Sequence, residues 1–267
     1  MAGSGKIQYL LHDELAQLSE EGREIDREFW KKEIENCGSD RDRLMAVYEK
    51  LQALPMRADY PYEEPSALAD IKKASKVDTL PADRFVPVDL TYFHGAWLGR
   101  CIGCAWGQPC EGWAMPNIRK WYKEAGKYPV SYFFPAQSGE NRKEHFSTDE
   151  NINGMGLVDD TRFTVLNYLL LKDKGLAMDA YDVGNMWSHK LPFRFVFTAE
   201  SQAYLNFINC EEITPWGKPE NPAEVMKVAK TATYLNPYRE WIGAQIRADA
   251  FAYVCAGMPV KASELAF

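Results

Sequence analysis

Val158-Asp-Asp-Thr161 is the sharpest local signal for chemistry in the 267-residue chain. Two adjacent carboxylates and a hydroxyl stand where an apolar stretch begins. Two readings fit them. Asp159 and Asp160 can cap a helix, because acidic groups there satisfy free N–H groups and complement the dipole. Alternatively Asp159, Asp160 and Thr161 can hold a hard cation, since Mg²⁺ takes oxygen ligands, usually one or two carboxylates with waters. The stretch that follows, through Leu171, reads as a buried helix. Two carboxylates where such a helix emerges repel each other unless a cation lies between them. Glu111, in Gln108-Pro-Cys-Glu-Gly-Trp113, is the second candidate. Alone it is an exposed loop glutamate. Beside a metal site it becomes a general base or a group that positions water.

Other reactive side chains argue less. Cys101, Cys104 and Cys110 could offer three thiolates. A zinc site usually takes a fourth ligand, and a knuckle sits on an exposed turn, not in an apolar helix. Free cysteine is also a common buried residue. No strand precedes Cys101-x-x-Cys104, which argues against a thioredoxin-like motif. His12, His94, His145 and His189 have no ligand spacing. No Gly-x-Ser-x-Gly elbow supports a serine hydrolase.

These residues need elements to position them. Between His94 and Gly107, glycines recur at 95, 99, 103 and 107. Four of them cost a helix roughly 1 kcal/mol each relative to alanine. The expected compensation is close packing at the centre of a bundle, deep enough to set Glu111 beside Asp159 and Asp160. Apolar residues surround this helix, expected from about Leu90 to Trp106, as in a buried one. Before it, Ile7, Leu10, Leu11, Leu15 and Leu18 recur at helical spacing, and Phe29, Trp30 and Ile34 lie in a second run. Ser39-Asp-Arg-Asp42 resembles a capping box and opens a third helix. The prolines between Leu54 and Pro87 read as a linker, with a boundary near Val88. Residues 114–155 read as a mobile loop. Further helices are expected at 179–190 with Trp187 buried, at 198–207, and from Trp241 to Cys255. Strand signals are scarce. The fold class is therefore all-α.

Bulk properties narrow the function. A formal charge of −7 argues against a duplex-binding surface, which needs clustered Lys and Arg. No apolar run approaches the roughly 18 residues of a membrane span. The start, Gly3-Ser-Gly-Lys6, lacks the strand and first glycine of a phosphate loop and reads as flexible. Without a signal-peptide core, six cysteines point to reduced thiols in a cytoplasmic protein.

Tyr92 to Trp113 resembles the opening helix of the ADP-ribosylglycohydrolase family. Asp159-Asp-Thr161 resembles that family's first metal motif, and Gly243-Ala-Gln-Ile-Arg-Ala248 its Gly-Ala-x-x-Arg segment. Order and spacing agree, over roughly residues 89–267. The resemblance implies an all-α orthogonal multi-helix bundle with two Mg²⁺ ions. It implies a hydrolase that cleaves the glycosidic bond between ADP-ribose and a protein side chain or small acceptor, with no nucleic-acid or membrane partner. Asp159, Asp160 and Thr161 would hold one metal, and Glu111 would handle a proton. Gly243 and Ala244 would offer backbone N–H groups at a helix start to the diphosphate, with Arg247 also on the substrate. Val158 stands where the family often has Thr or Ser, and Cys104 where some members have Asp. No Asp-x-Asp-Thr motif follows before Phe267, and Asp179 and Asp182 have another context. The expectation is an N-terminal portion of a longer member: 1–88 a helical extension with its linker, 89–267 the start of the family domain. A non-catalytic ADP-ribose-binding or structural member, without the second metal half-site, is the alternative.

Overall fold

The computed structural model describes residues 6–75, 81–156, 158–213 and 217–267. It is mostly helical, and its only ladder among the described residues pairs Gln137–Ser138 with Asn141–Arg142. The glycine-rich start before Lys6 lies outside the described residues, as do 214–216 of the polar loop. No described helix is long and apolar enough to cross a membrane. The chain divides into two compact units. The first comprises Met1–Pro81, Leu166–Ala248 and Phe267, the second Ala82–Val165 and Asp249–Ala266.

In the first unit, α1 (Ile7–Glu20), α2 (Arg27–Cys37) and α3 (Arg41–Gln52) form where the periodicity and caps require. The Asp26 carboxylate accepts from the Phe29 N–H and starts α2. The cap of α3 is Asp40, accepting from Arg43 N–H, and not Ser39 as the capping-box pattern suggests. Leu11, Leu18, Ile34 and Leu51 are fully buried, in one core with Leu235 and Tyr238. Arg239 locks that core. Its guanidinium donates to both Glu14 oxygens at 2.9 and 3.0 Å and to both Glu21 oxygens at 2.8 Å. Tyr238 donates to Asp13 at 2.6 Å, and the Leu235 N–H to the Tyr48 hydroxyl at 3.1 Å. Within the proline-rich stretch, α4 (Leu68–Ala74) is a short helix with no buried residue.

The second unit holds α5 (Leu90–Gly107), capped by Asp89, whose carboxylate accepts from Tyr92 N–H. The expectation of a buried helix fails here. Ala105 alone is buried, Leu90 is 82% exposed, and Tyr92, Leu98 and Ile102 are also exposed. A Cβ built on Gly95, Gly99, Gly103 or Gly107 meets no described atom within 4 Å. The glycine stripe packs nothing among the described residues, although it has the spacing that close packing would use. Residues 114–155 are also more ordered than a loop. Helix α6 (Met115–Glu124) opens with Pro116 in its first turn, a position where the missing N–H costs nothing. Phe134 is fully buried beneath Trp113, Trp121 and Tyr122, and Trp121 donates to the Pro135 carbonyl at 2.8 Å.

Helix α7 (Asp159–Lys174) carries the unit boundary between Val165 and Leu166. It is not buried all round, and apolar residues lie on both faces: Phe163, Leu166 and Leu170 are buried, whereas Val165, Tyr168 and Leu169 are exposed. In the first unit, α8 (Ala180–Lys190) buries Trp187, and its Gly184 lies under the Phe207 ring of α9 (Thr198–Ile208). Asp179 and Asp182 form a reciprocal capping box, with Lys218 at 2.8 Å from both carboxylates. Helix α10 (Pro222–Ala229) follows. The expected helix from Trp241 to Cys255 is broken: a 3₁₀ stretch, Ile242–Arg247, precedes a separate α11 (Asp249–Val254). Asp249 restarts the helix, its carboxylate accepting from the Ala250 N–H at 2.8 Å. In the second unit, α12 (Pro259–Ala266) is capped by the Asp83 carboxylate, which accepts from Val260 N–H and Lys261 N–H at 3.0 Å.

Candidate functional site

Arg100 is the only Lys, Arg, Asp or Glu within α5, and it meets two carboxylates of the second unit. Its guanidinium donates to the Asp160 carbonyl at 2.9 Å and lies 3.9 Å from the Asp160 carboxylate. Its Nε is 3.6 Å from Asp249 Oδ2. That same oxygen accepts from the Thr164 hydroxyl at 2.8 Å and the Tyr253 hydroxyl at 3.2 Å. Burial pushes the Asp160 carboxyl up from its ordinary value, the Asp159 charge adds to this, and Arg100 opposes it. Burial likewise pushes the Cys104 thiol up to about 11, with the Asp160 charge adding. A neutral thiol is a poor metal ligand and a poor nucleophile.

The predicted residues divide between the units. Asp159 opens α7, and its carboxylate accepts from the adjacent Asp160 N–H at 3.2 Å. Thr161 is buried, and its hydroxyl donates to the Val158 carbonyl at 3.4 Å. Glu111 ends the 3₁₀ turn Gln108–Cys110 and is exposed. Among the described residues no hydrogen bond or ion pair joins it to Asp159 or Asp160. It immediately precedes the first lining residue of a shallow cleft of about 470 Å³, formed by Gly112, Trp113, Asn117, Lys120, Trp121 and Glu124.

In the first unit, Gly243 is buried and Ala244 exposed. Both lie on the 3₁₀ stretch, so the expected α-helix start at this segment is not formed. A Cβ on Gly243 would sit 2.0 Å from Glu200 Oε1, so the Glu200 carboxylate must shift to admit any side chain there. Arg247 pairs with Glu200 at 3.3 Å, donates to the Gly243 carbonyl at 3.0 Å, and lies 5.3 Å over the Trp187 ring. Burial pushes its guanidinium pKa down, against the Glu200 charge. In this state Arg247 braces its own turn.

No protein-family model matches the chain, and neither does any curated protein or solved structure.

The donors around Arg100 suit Mg²⁺ in type, because Asp159, Asp160, Asp249 and Thr164 all present hard oxygens. Among the described residues no three His, Cys, Asp or Glu side chains come together as a cage. Mg²⁺ does not require one, since it binds through one or two carboxylates and keeps waters. Sequence reasoning missed Arg100, Thr164 and Asp249. The readable signal was Arg100, a lone charge in the middle of an apolar glycine helix.

Proposed function

We propose that the chain acts as an ADP-ribosylglycohydrolase-like hydrolase on ADP-ribose attached to a protein side chain or small acceptor. The supporting observation is the meeting at Arg100. It lies in the first of the segments that carry the resemblance and holds Asp160 of the second, 60 residues away. It also pairs with Asp249, the residue that follows the third. Asp159 and Asp160 would hold a Mg²⁺ ion with Thr161 beside them, and a bound metal would supply an activated water and hold ribose hydroxyls. Glu111, on a solvent-exposed turn, is the proton handler in this reading. Release of ADP-ribose from an ADP-ribosylated peptide or from ADP-ribosyl-arginine, with and without Mg²⁺, tests it. Activity retained in full by an Asp159→Ala, Asp160→Ala variant would remove the metal assignment.

A second reading, ADP-ribose binding without turnover, draws on a specific observation. The positive charge between Asp160 and Asp249 is already supplied by Arg100. Calorimetry with ADP-ribose that gives binding heat, together with an absence of hydrolysis, would favour it.

A further inference from the structure

We infer that His145 is a pH-operated latch. Its neutral ring holds the loop that clips Gln108, the first residue of the turn that ends at Glu111, and its protonated ring releases that clip. The role of Glu111 as proton handler belongs to the hydrolase reading, and the latch does not depend on it.

His145 Nδ1 accepts from the Ser147 N–H at 3.1 Å. A backbone N–H can only donate, so Nδ1 is unprotonated and the ring proton lies on Nε2. The His145 carbonyl accepts from the Thr148 hydroxyl at 2.8 Å and the Asn151 amide at 3.2 Å, which fixes the residue to the loop it caps. The Ser147 hydroxyl donates to Gln108 Oε1 at 2.8 Å, across 39 residues of chain. The Gln108 carbonyl in turn accepts from the Glu111 N–H at 3.3 Å. Ser147 and Thr148 are 1% and 0% exposed, so the clip is shut off from water. Adding a proton to Nδ1 sets two donors face to face, and a buried N–H loses its acceptor. Burial and the Lys143 charge both push the His145 ring below its ordinary 6.5. Lys143 is itself held in place, its N–H on the Ala136 carbonyl and its ammonium 5.3 Å over the Trp113 ring. The acidic groups nearby in the chain are engaged elsewhere, Glu144 and Glu150 with Arg142, and Asp149 with Lys127. From the 3₁₀ turn, the side chain that meets the loop is the neutral Gln108. The folded state therefore binds this proton less readily than the unfolded chain does. The latch is closed above 6.5 and opens as pH falls through the lower folded-state value.

Nuclear magnetic resonance on the full chain, from about pH 8 to about pH 5, tests this. It follows the His145 ring protons, the Ser147 amide and the Gln108 side-chain amide in wild type, His145→Asn and His145→Leu. In wild type all of these should titrate with one midpoint, below that of a free histidine. The Ser147 protection factor should fall about tenfold across it, the worth of one hydrogen bond. His145→Asn offers a side-chain oxygen that does not titrate, and should keep the Ser147 amide protected over the whole range. His145→Leu offers no acceptor, and its Ser147 amide should be unprotected at every pH. If His145→Leu does not fold, the contrast between wild type and His145→Asn decides. A Ser147 amide whose protection ignores the His145 titration, or that titrates equally in His145→Asn, would overturn the latch. None of these readouts uses substrate or metal, so the hydrolase reading stands or falls separately, on release of ADP-ribose.

Discussion

Each unit surrounds an arginine with carboxylates, and the two arrangements differ in a way that bears on function. In the first unit, Arg239 makes four contacts of 2.8–3.0 Å to Glu14 and Glu21, with Glu14 only 1% exposed. Both carboxylates are gripped through both oxygens, and Gln52 and Gln17 add amide donors. In the second unit, Arg100 lies 3.9 Å from the Asp160 carboxylate and 3.6 Å from that of Asp249, and donates to the Asp160 carbonyl. The first is a brace between α1 and the segment near Tyr238, with no oxygen to spare. In the second, both Asp249 oxygens accept from other groups, Oδ1 from the Ala250 N–H and Oδ2 from the Thr164 and Tyr253 hydroxyls. Glycine tells the same story. Gly243 of the first unit lies close against the Glu200 carboxylate, whereas no described atom lies within 4 Å of a Cβ built on the α5 glycines of the second.

The widest gap should come from breaking the brace. Arg239→Leu leaves Glu14 buried without a counter-charge, which should cost about 3–5 kcal/mol. Urea unfolding with hydrogen exchange read in α1–α3 would measure it, and a loss below about 1 kcal/mol would erase the contrast between the two arginines.

Gly243→Ala comes next. The added methyl overlaps Glu200 Oε1 and must force it from Arg247, an overpacking cost of about 1–3 kcal/mol. A neutral outcome would show that the Glu200–Arg247 pair yields easily.

The second unit has one tight polar anchor of its own. Asp149 is bound by Lys127 and accepts from the Ala136 N–H at 2.9 Å. Burial works to raise its carboxyl, and these bonds outweigh burial and hold it below the ordinary 3.8. Its stabilisation is therefore present above that value and is lost as pH falls through the lower folded-state value. Asp149→Asn should cost about 1–3 kcal/mol at neutral pH. It should also flatten the acid limb of a stability–pH curve. An unchanged limb would mean that other carboxylates set it.

Smallest, and opposite in sign, is Gly99→Ala or Gly103→Ala. With open space at each Cβ, helix propensity alone acts, so each should stabilise by up to about 1 kcal/mol. A loss in thermal melts would show that another surface covers this face in solution.

Much of the local structure was legible. Helices α1 to α3 followed from apolar spacing, because periodicity acts over three or four residues, whereas the cap of α3 fell on Asp40 instead of Ser39 and the Asp26 cap of α2 was not singled out. The start of α7 at Asp159 was legible for the same reason. Less could be read where burial decides. Four glycines at helical spacing look alike whether another helix lies on them or solvent does. The amphipathic, proline-opened α6 was hidden in a region whose polar residues dominated the reading. Within the candidate site, Asp159, Asp160 and Thr161 were found as a local cluster. Arg100 and Asp249 were not, because nothing near either residue in sequence advertises its partner.

The sequence by itself determined a mostly helical chain and a pair of carboxylates at the head of α7. These depend on backbone hydrogen bonding within one or two turns. Tertiary structure alone decided that the α5 glycines stay open, that the helix after Trp241 breaks at Ala248, and that Arg100 stands between Asp160 and Asp249. Those outcomes depend on which distant groups share a desolvated space. Coulomb and packing terms there act through a few ångströms of folded structure and not along the chain.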